Sequence, residues 1–387
     1  MNGQRLRQLR LARGWSLAEL SSALGGIVTK QALSKYENEK TQPSPRVAEQ
    51  LASIFALKVA DLLDDTRINI VAYRKGTKLS RREQLRLEGL VGEELRARVR
   101  LQRVTQDAFR FDFPHQRLGA STVDEIEVAA QTIRHKWCLG QAPIANLMDV
   151  LESHGIHVIQ IAADDGFEGI AAHATDVEGQ LLAASVVIRT GQSGERQRLS
   201  VAYELAHLVL KQTGMRKQDE QAAFRFGAAL LAPADLLRKE VGEYRTLISP
   251  NELLLLKRQF RMSAQALLHR LHDLAIINYA YYTHWCISIN QLGWKRNEPE
   301  SIAPEEPRWL KVTTLRALSE GVITYEEAER ILGESLAHEP SMTLLAKRQR
   351  MKLPLAERRR VLAQQASRAE ADYDIDQDWQ GGAFVEQ

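Results

Sequence analysis

Cysteine is scarce in this chain, with Cys138 and Cys286 the two examples in 387 residues. They lie far apart and match neither a disulfide framework nor the paired spacing of a zinc ribbon or a thioredoxin-type site. They read as free thiols of a reducing compartment. Long apolar runs are missing too. No stretch approaches the ~18 residues that would span a bilayer. Met1-Asn-Gly-Gln-Arg-Leu-Arg7 lacks the apolar core of a signal peptide. The expectation is a cytoplasmic protein that does not use a membrane. An excess of one charge is also absent. Lys and Arg number 52 against 49 Asp and Glu, a net charge of +3, so a nucleic-acid surface has to be sought locally rather than in bulk charge. The length leaves room for two or three domains with cores of their own.

Residues 1–65 read as five short helices. Ser16-Leu-Ala-Glu19 is a capping box that opens the second. Gly25-Gly26 breaks that helix, and Thr29 can cap a third from Lys30 to about Asn38. A fourth runs over about Pro45–Phe55, and Ala60–Leu63 is a last short turn. Two short helices joined by a Gly-bearing turn form a helix-turn-helix, whose second helix enters the major groove. Its polar face offers Lys30, Gln31, Ser34 and Lys35. Gln reads adenine bidentately, Ser contacts several bases, and Lys contacts guanine or phosphate. Asn38, Lys40 and Thr41 are placed for phosphate. The competing interpretation is a helical interaction module whose polar face is merely solvated. Gly14-Trp-Ser-Leu-Ala-Glu-Leu20, Ala32-Leu-Ser-Lys-Tyr-Glu-Asn38 and Lys40-Thr-Gln-Pro-Ser44 resemble the XRE, phage-repressor-like, helix-turn-helix family. That resemblance implies a double-stranded DNA operator as partner. Leu17 stands where the family often has a phosphate-contacting Gln. Half-sites are usually read in pairs, so a homodimer is expected.

Residues 66–121 form a basic connector. Ile68–Tyr73 is a short β-rich run, and Arg82 to about Gln106 reads as one long helix, against which Gly89 and Gly92 argue. Its Arg96, Arg98, Arg100 and Arg103 suit either a solvated face or an added phosphate-contacting surface.

Residues 122–300 carry the stretch of greatest chemical interest. Asp124–Cys138, with Ser121 as its cap, and Pro143–Ser153 read as helices. Three strands follow, at Gly155–Ile161, Phe167–His173 and Leu181–Ile188, most simply as an antiparallel sheet. Arg198–Leu210 is then a helix with an apolar stripe at Leu199, Ala202, Leu205 and Leu208. On it Glu204 and His207 share a face. With His in place of Tyr203 the run would be His-Glu-x-x-His, where two His bind zinc and Glu is the general base on zinc-bound water. Gly155-Ile-x-Val, Phe167-x-Gly169, Glu195-Arg-Gln-Arg198, Glu204-Leu-Ala-His207, Phe226-Gly-Ala-x-Leu-Leu-x-Pro233, Ser263-x-Gln-Ala-Leu-x-x-Arg270-Leu and Gly293-Trp294 together resemble the ImmA/IrrE zinc metallopeptidases. The resemblance implies Glu204 as general base, and His207 and Glu220 (with Asp219 as fallback) as metal ligands. Tyr203 falls on the missing ligand. Zinc sites normally hold three protein ligands plus water, and a Tyr ligates only as phenolate, with a reference pKa near 10. The expectation is therefore a degenerate domain with no cofactor, a weak Tyr-ligated zinc site being the alternative. In the structural alternative Glu204 and His207 form a hydrogen-bonded pair. His154, His157, His173, His269, His272 and His284 are candidate substitute ligands, each read as ordinary.

Residues 301–340 read as a helical extension, with helices at Trp309–Leu318 and Thr324–Leu332, and 341–387 as a partner-binding or disordered tail. Leu353, Leu355, Tyr373, Trp379 and Phe384, in a segment with Asp372, Asp374, Asp376 and Asp378, resemble the toxin-binding tails of small antitoxins. A solvated tail is the alternative. The expected fold is α+β and mostly α: a five-helix DNA-binding domain, a central zincin-like domain with a small antiparallel sheet, and a helical C-terminal tail. The expected function is a DNA-binding transcriptional regulator, an autorepressing antitoxin with a cognate toxin as partner. The alternative is an active zinc metalloendopeptidase that cleaves a repressor.

Overall fold

The computed structural model describes residues 2–75, 79–105, 112–295, 297–336, 353–354, 357–360 and 363–364. The chain divides into two compact units, Met1–Leu310 and Lys311–Gln387. The fold is α+β and mostly helical, as expected.

The first four helices are α1 (Gly3–Ala12), α2 (Leu17–Ala23), α3 (Lys30–Glu37) and α4 (Pro45–Ile54), followed by a 3-10 turn at Val59–Leu63. Each α-helix starts on a side-chain cap: Asn2, Ser16, Thr29 and Ser44 accept a hydrogen bond from a first-turn N–H. Ser16 and Glu19 complete the capping box. The apolar sides of these helices meet in a core of Leu6, Leu9, Leu20, Leu24, Leu33, Leu51, Phe55 and Leu62.

The connector is not a separate piece. Its strand β1 (Arg67–Lys75) joins the central sheet, and α5 (Arg81–Thr105) spans both structural layers. The helix is continuous through Gly89 and Gly92. At Gly89 an added Cβ would stand 2.5 Å from the backbone N of Ala12, so the glycine lets α1 and α5 approach backbone to backbone. On its other side α5 buries Leu87, Val91, Leu95 and Val99. The arginines of α5 are tied to neighbouring acids and carbonyls. Buried Arg96 donates to the Thr66 carbonyl. Arg98 pairs with Glu94, Arg100 with Asp61 at 3.3 Å and Arg103 with Asp64 at 3.7 Å. Neither a solvated face nor a phosphate surface describes Arg96 and Arg98, which are buried at the junction.

The central unit continues with α6 (Val123–Lys136), α7 (Leu147–Ser153), β2 (Ile156–Ile161), β3 (Phe167–Thr175), β4 (Leu181–Arg189), α8 (Gly194–Val209) and α9 (Arg216–Leu231). It closes with α10 (Ala234–Val241), α11 (Pro250–Phe260), α12 (Ala264–Asp273) and α13 (Tyr279–Gln291). Two helix starts differ from expectation. Thr122, in a capping box with Glu125, opens α6 instead of Ser121. Asn146 opens α7, and the carboxylate of Glu305 takes the free N–H groups of Leu147 and Met148.

The sheet has four strands in the order β1-β3-β4-β2, where three antiparallel strands were expected. β1–β3 and β3–β4 are antiparallel, and β2–β4 is parallel. With partners on both sides, β4 is the apolar, buried centre. One face packs on α5 through Ile68, Ile170, Ala172, Ala174 and Val187. The other packs on α8 through Ala171, Ala184, Val186 and Ile188. A β-bulge between Ile70 and Ala72 changes the phase of β1. Before it, Ile68 and Ile70 face α5. After it, Ala72 faces α8 and Tyr73 faces α5.

The C-terminal unit begins within α14 (Trp309–Ser319) and continues into α15 (Tyr325–Leu332). A Thr324–Glu327 capping box opens α15, and Gly333 ends it at a positive φ of 68°. Among the described residues, no helix is long and apolar enough to cross a membrane.

Candidate functional site

Two surfaces carry the polar residues singled out by the sequence. The first is α3. Leu33 is its one fully buried residue, while Lys30, Gln31, Lys35, Asn38 and Lys40 are exposed and Ser34 is half-buried. The Asn38 amide donates to the Ser34 carbonyl at 2.7 Å, which fixes it at the end of the helix. All six residues thus lie on or directly beyond the second helix of the pair, held by the Thr29 cap and the Leu33 anchor.

The second is the cleft beside α8. Most of this helix is buried, so its polar residues lie between α9 and the sheet rather than in water. Gly227 of α9 makes the close approach possible, as an added Cβ would lie 3.2 Å from the Tyr203 N. Gly169 of β3 does the same from the sheet: its Cβ would overlap the carboxyl group of Glu204. Glu204 is wholly buried, and neither carboxyl oxygen has a hydrogen-bond partner among the described residues. Burial pushes its pKa up to about 8, against the opposing pull of Arg74. At neutral pH it is mainly a neutral acid. Burial likewise pushes His207 down to about 4, so its imidazole is neutral. The hydrogen-bonded Glu204–His207 pair does not form. Glu204 lies against Gly169, whereas Nδ1 of His207 lies 3.4 Å from the Gln212 amide.

Tyr203 meets the His207 ring edge-on, with ring centroids 5.0 Å apart. On its other side the guanidinium of Arg74 lies 4.5 Å from the ring centroid and pairs with Glu168. Burial first, and then Glu204, raise the Tyr203 pKa above the ordinary phenol value. Sequence reasoning missed Arg74 and Glu168. Arg74 is register partner of Gly169 across β1–β3, and the bulge aims it at α8. A clean alternation from Ile68 and Ile70 would have sent it to the α5 face.

The remaining ligand candidates stand side by side near the start of α9. Glu220 is paired with Arg216 at 2.8 Å, with its side chain 44% exposed. Asp219 accepts from the N–H and the hydroxyl of Thr213, both at 2.8 Å. The cleft outside Tyr203 measures about 970 Å³ and includes Arg74, Glu168, Arg216, Glu220 and Phe224 in its walls. Among the described residues, no three of His, Cys, Asp and Glu converge as a metal-binding set. The donors do not fit zinc as they stand: Tyr203 ligates only as a phenolate, a guanidinium covers its ring, and Asp219 is held by Thr213.

Five of the six other candidate histidines meet local neighbours. His154 stacks on Trp137, and His157 is buried beside Gln102. His173 meets His115, His269 contacts Asp273, and His272 stacks on Tyr282. His284 is exposed. In the tail, the Leu353 carbonyl accepts from Arg358 at 3.0 Å. Leu355, Tyr373, Trp379 and Phe384 lie outside the described residues.

Comparison with known proteins agrees with this division. Residues 6–62 match the family model described as Helix-turn-helix, and residues 151–272 match the one described as IrrE N-terminal-like domain. The chain therefore joins a helix-turn-helix domain to an IrrE-like domain. The HTH-type transcriptional regulator SinR of Bacillus subtilis (strain 168) is 39% identical over 66 residues, which are 17% of this chain and 58% of that protein.

Proposed function

We propose that this protein is a DNA-binding transcriptional regulator whose α3 reads an operator in the major groove. The observation that carries the reading is the α3 surface. A capped, Leu33-anchored helix presents Lys30, Gln31 and Lys35 outward and continues into exposed Asn38 and Lys40. Residues able to read base edges lie on the helix, and residues able to meet phosphate lie directly beyond it. The likeness to a helix-turn-helix transcriptional regulator supports it. In the finer form of the proposal, the protein is a homodimeric, cytoplasmic, autorepressing antitoxin. Its C-terminal segment, with Leu353, Leu355, Tyr373, Trp379 and Phe384, holds a cognate toxin, and its IrrE-like cleft is catalytically degenerate and binds no metal.

Gel shifts on the protein's own promoter test the DNA reading. Wild type binds, and Gln31→Ala with Lys35→Ala abolishes specific binding; unaltered binding by the double variant rules out α3 as the reader. Co-expression with the product of the adjacent gene, and loss of the complex on Trp379→Ala, tests the antitoxin form. The IrrE-like match and the buried Glu204–x–x–His207 pair favour a second reading, an active zinc metalloendopeptidase that cleaves a repressor. Stoichiometric zinc in protein purified without added metal, lost on His207→Ala, would overturn the degenerate reading of the cleft.

A further inference from the structure

The cleft beside Tyr203 already has a cation in its wall. Arg74 stands 4.5 Å over the Tyr203 ring. It pairs with Glu168, an acid of the cleft wall, and lines the same cleft as Tyr203 and Glu220. It arrives there through the bulge between Ile70 and Ala72, a feature that costs ladder pairing and re-aims a side chain. Gly169, opposite Arg74 in the register, supplies the space that the Glu204 carboxyl group fills.

We propose that Arg74 is the resident cation of this cleft. Its guanidinium pairs with Glu168, stacks on Tyr203 and opposes the approach of a divalent metal beside position 203. The proposal deepens the reading of the cleft as degenerate, and rests on it. It assigns the loss of metal binding to two residues, not to Tyr203 alone. Restoring an imidazole at position 203 therefore leaves the site electrostatically closed. Glu220 does not add a comparable barrier, because an exposed pair such as Arg216–Glu220 is worth little and its carboxylate can swing.

Zinc titration of the full chain against a chromophoric chelator tests this, with zinc per chain measured after dialysis. The variants are Tyr203→His, Tyr203→His with Arg74→Ser, and Tyr203→His with Arg74→Lys. The expected result is weak, substoichiometric zinc in the single variant and one zinc per chain with Arg74→Ser. Affinity there is at least about tenfold higher, roughly 1.4 kcal/mol. The Arg74→Lys pair, which keeps the charge, behaves as the single variant. Thermal melts show which variants are folded; the lysine pair, which keeps a cation beside Glu168, provides the comparison if serine disturbs the sheet. Equal affinity in the single and serine variants overturns the role of Arg74 while leaving the degenerate reading intact. A serine variant that is folded and still holds no zinc overturns it as well. Stoichiometric zinc in wild type overturns the degenerate reading itself.

Discussion

Gly89 and Gly92 lie three residues apart on α5, and replacing each with alanine is expected to move stability in opposite directions. In a helix interior, Gly→Ala gains about 1 kcal/mol of propensity, so both substitutions start with the same benefit. At Gly92 the new Cβ would meet Arg96 Nη1 at 3.5 Å and Gln8 Cδ at 3.7 Å, ordinary contacts with movable side chains. The benefit survives, and Gly92→Ala should stabilise by about 0.5–1 kcal/mol. At Gly89 the Cβ would stand 2.5 Å from the Ala12 N and 2.9 Å from both the Ala12 Cα and the Gln8 carbonyl. These are backbone atoms of α1, itself anchored by Leu6 and Leu9, and they have no rotamer to move to. Overpacking of this kind costs about 1–3 kcal/mol, here at the upper end, and outweighs the propensity gain. Gly89→Ala should therefore destabilise by roughly 1–2 kcal/mol. Urea unfolding followed by far-ultraviolet circular dichroism measures the difference, and limited proteolysis between residues 60 and 80 reports whether α1 has separated from α5. If Gly89→Ala proves as stabilising as Gly92→Ala, the two helices are not in backbone contact and the account of the domain junction fails.

Other outcomes follow from the same geometry. Arg198 and Glu305 form a buried ion pair, so Glu305→Ala leaves an unpaired guanidinium and should cost about 3–5 kcal/mol in a thermal or denaturant melt; a loss under 1 kcal/mol would show that water reaches the site. Burial depresses the pKa of His157 well below its ordinary value and that of His173 to about 4. Because the unfolded chain takes up these protons first, the stability they contribute is present above about pH 6.5. It is lost as pH falls toward the folded values, at up to about 1.4 kcal/mol per pH unit for each histidine. His157→Gln should flatten the fall between pH 6 and pH 5, and an unchanged slope would mean that His157 is protonated in the folded chain. If Lys40 contacts phosphate, Lys40→Ala should weaken binding to all DNA sequences alike and lower the log–log salt slope by about 1; an altered base preference would place it on a base edge instead.

The N-terminal fold was legible because its signals are local. Ser16–Glu19, Thr29 and Pro45 mark helix starts within a few residues of themselves, and the structure places caps at Ser16, Thr29 and Ser44. The α8 helix was legible from its apolar spacing. Less legible was the start of α7. Pro143 is an acceptable first-turn residue, but the structure starts the helix at Asn146, whose cap is joined by a carboxylate from Glu305, 158 residues from Leu147. The arginines of α5 read as a surface, because the acids that bind Arg96, Arg100 and Arg103, Asp61 and Asp64, belong to the preceding domain. The cleft was legible in Tyr203, Glu204 and His207 and illegible in Arg74 and Glu168.

The sequence by itself determined the helix-turn-helix, the order of elements in the IrrE-like domain and the helix that carries Tyr203, Glu204 and His207. Each depends on residue types at short, fixed separations, where capping and helical period act. Tertiary structure alone decided that β1 joins the sheet, that α5 binds two layers through Gly89, and that Arg74 faces Tyr203. A strand's partner and the phase of its side chains depend on pairing with residues about a hundred positions away, as between Arg74 and Gly169. One bulge, with no signature in residue type, turns the arginine from one face to the other.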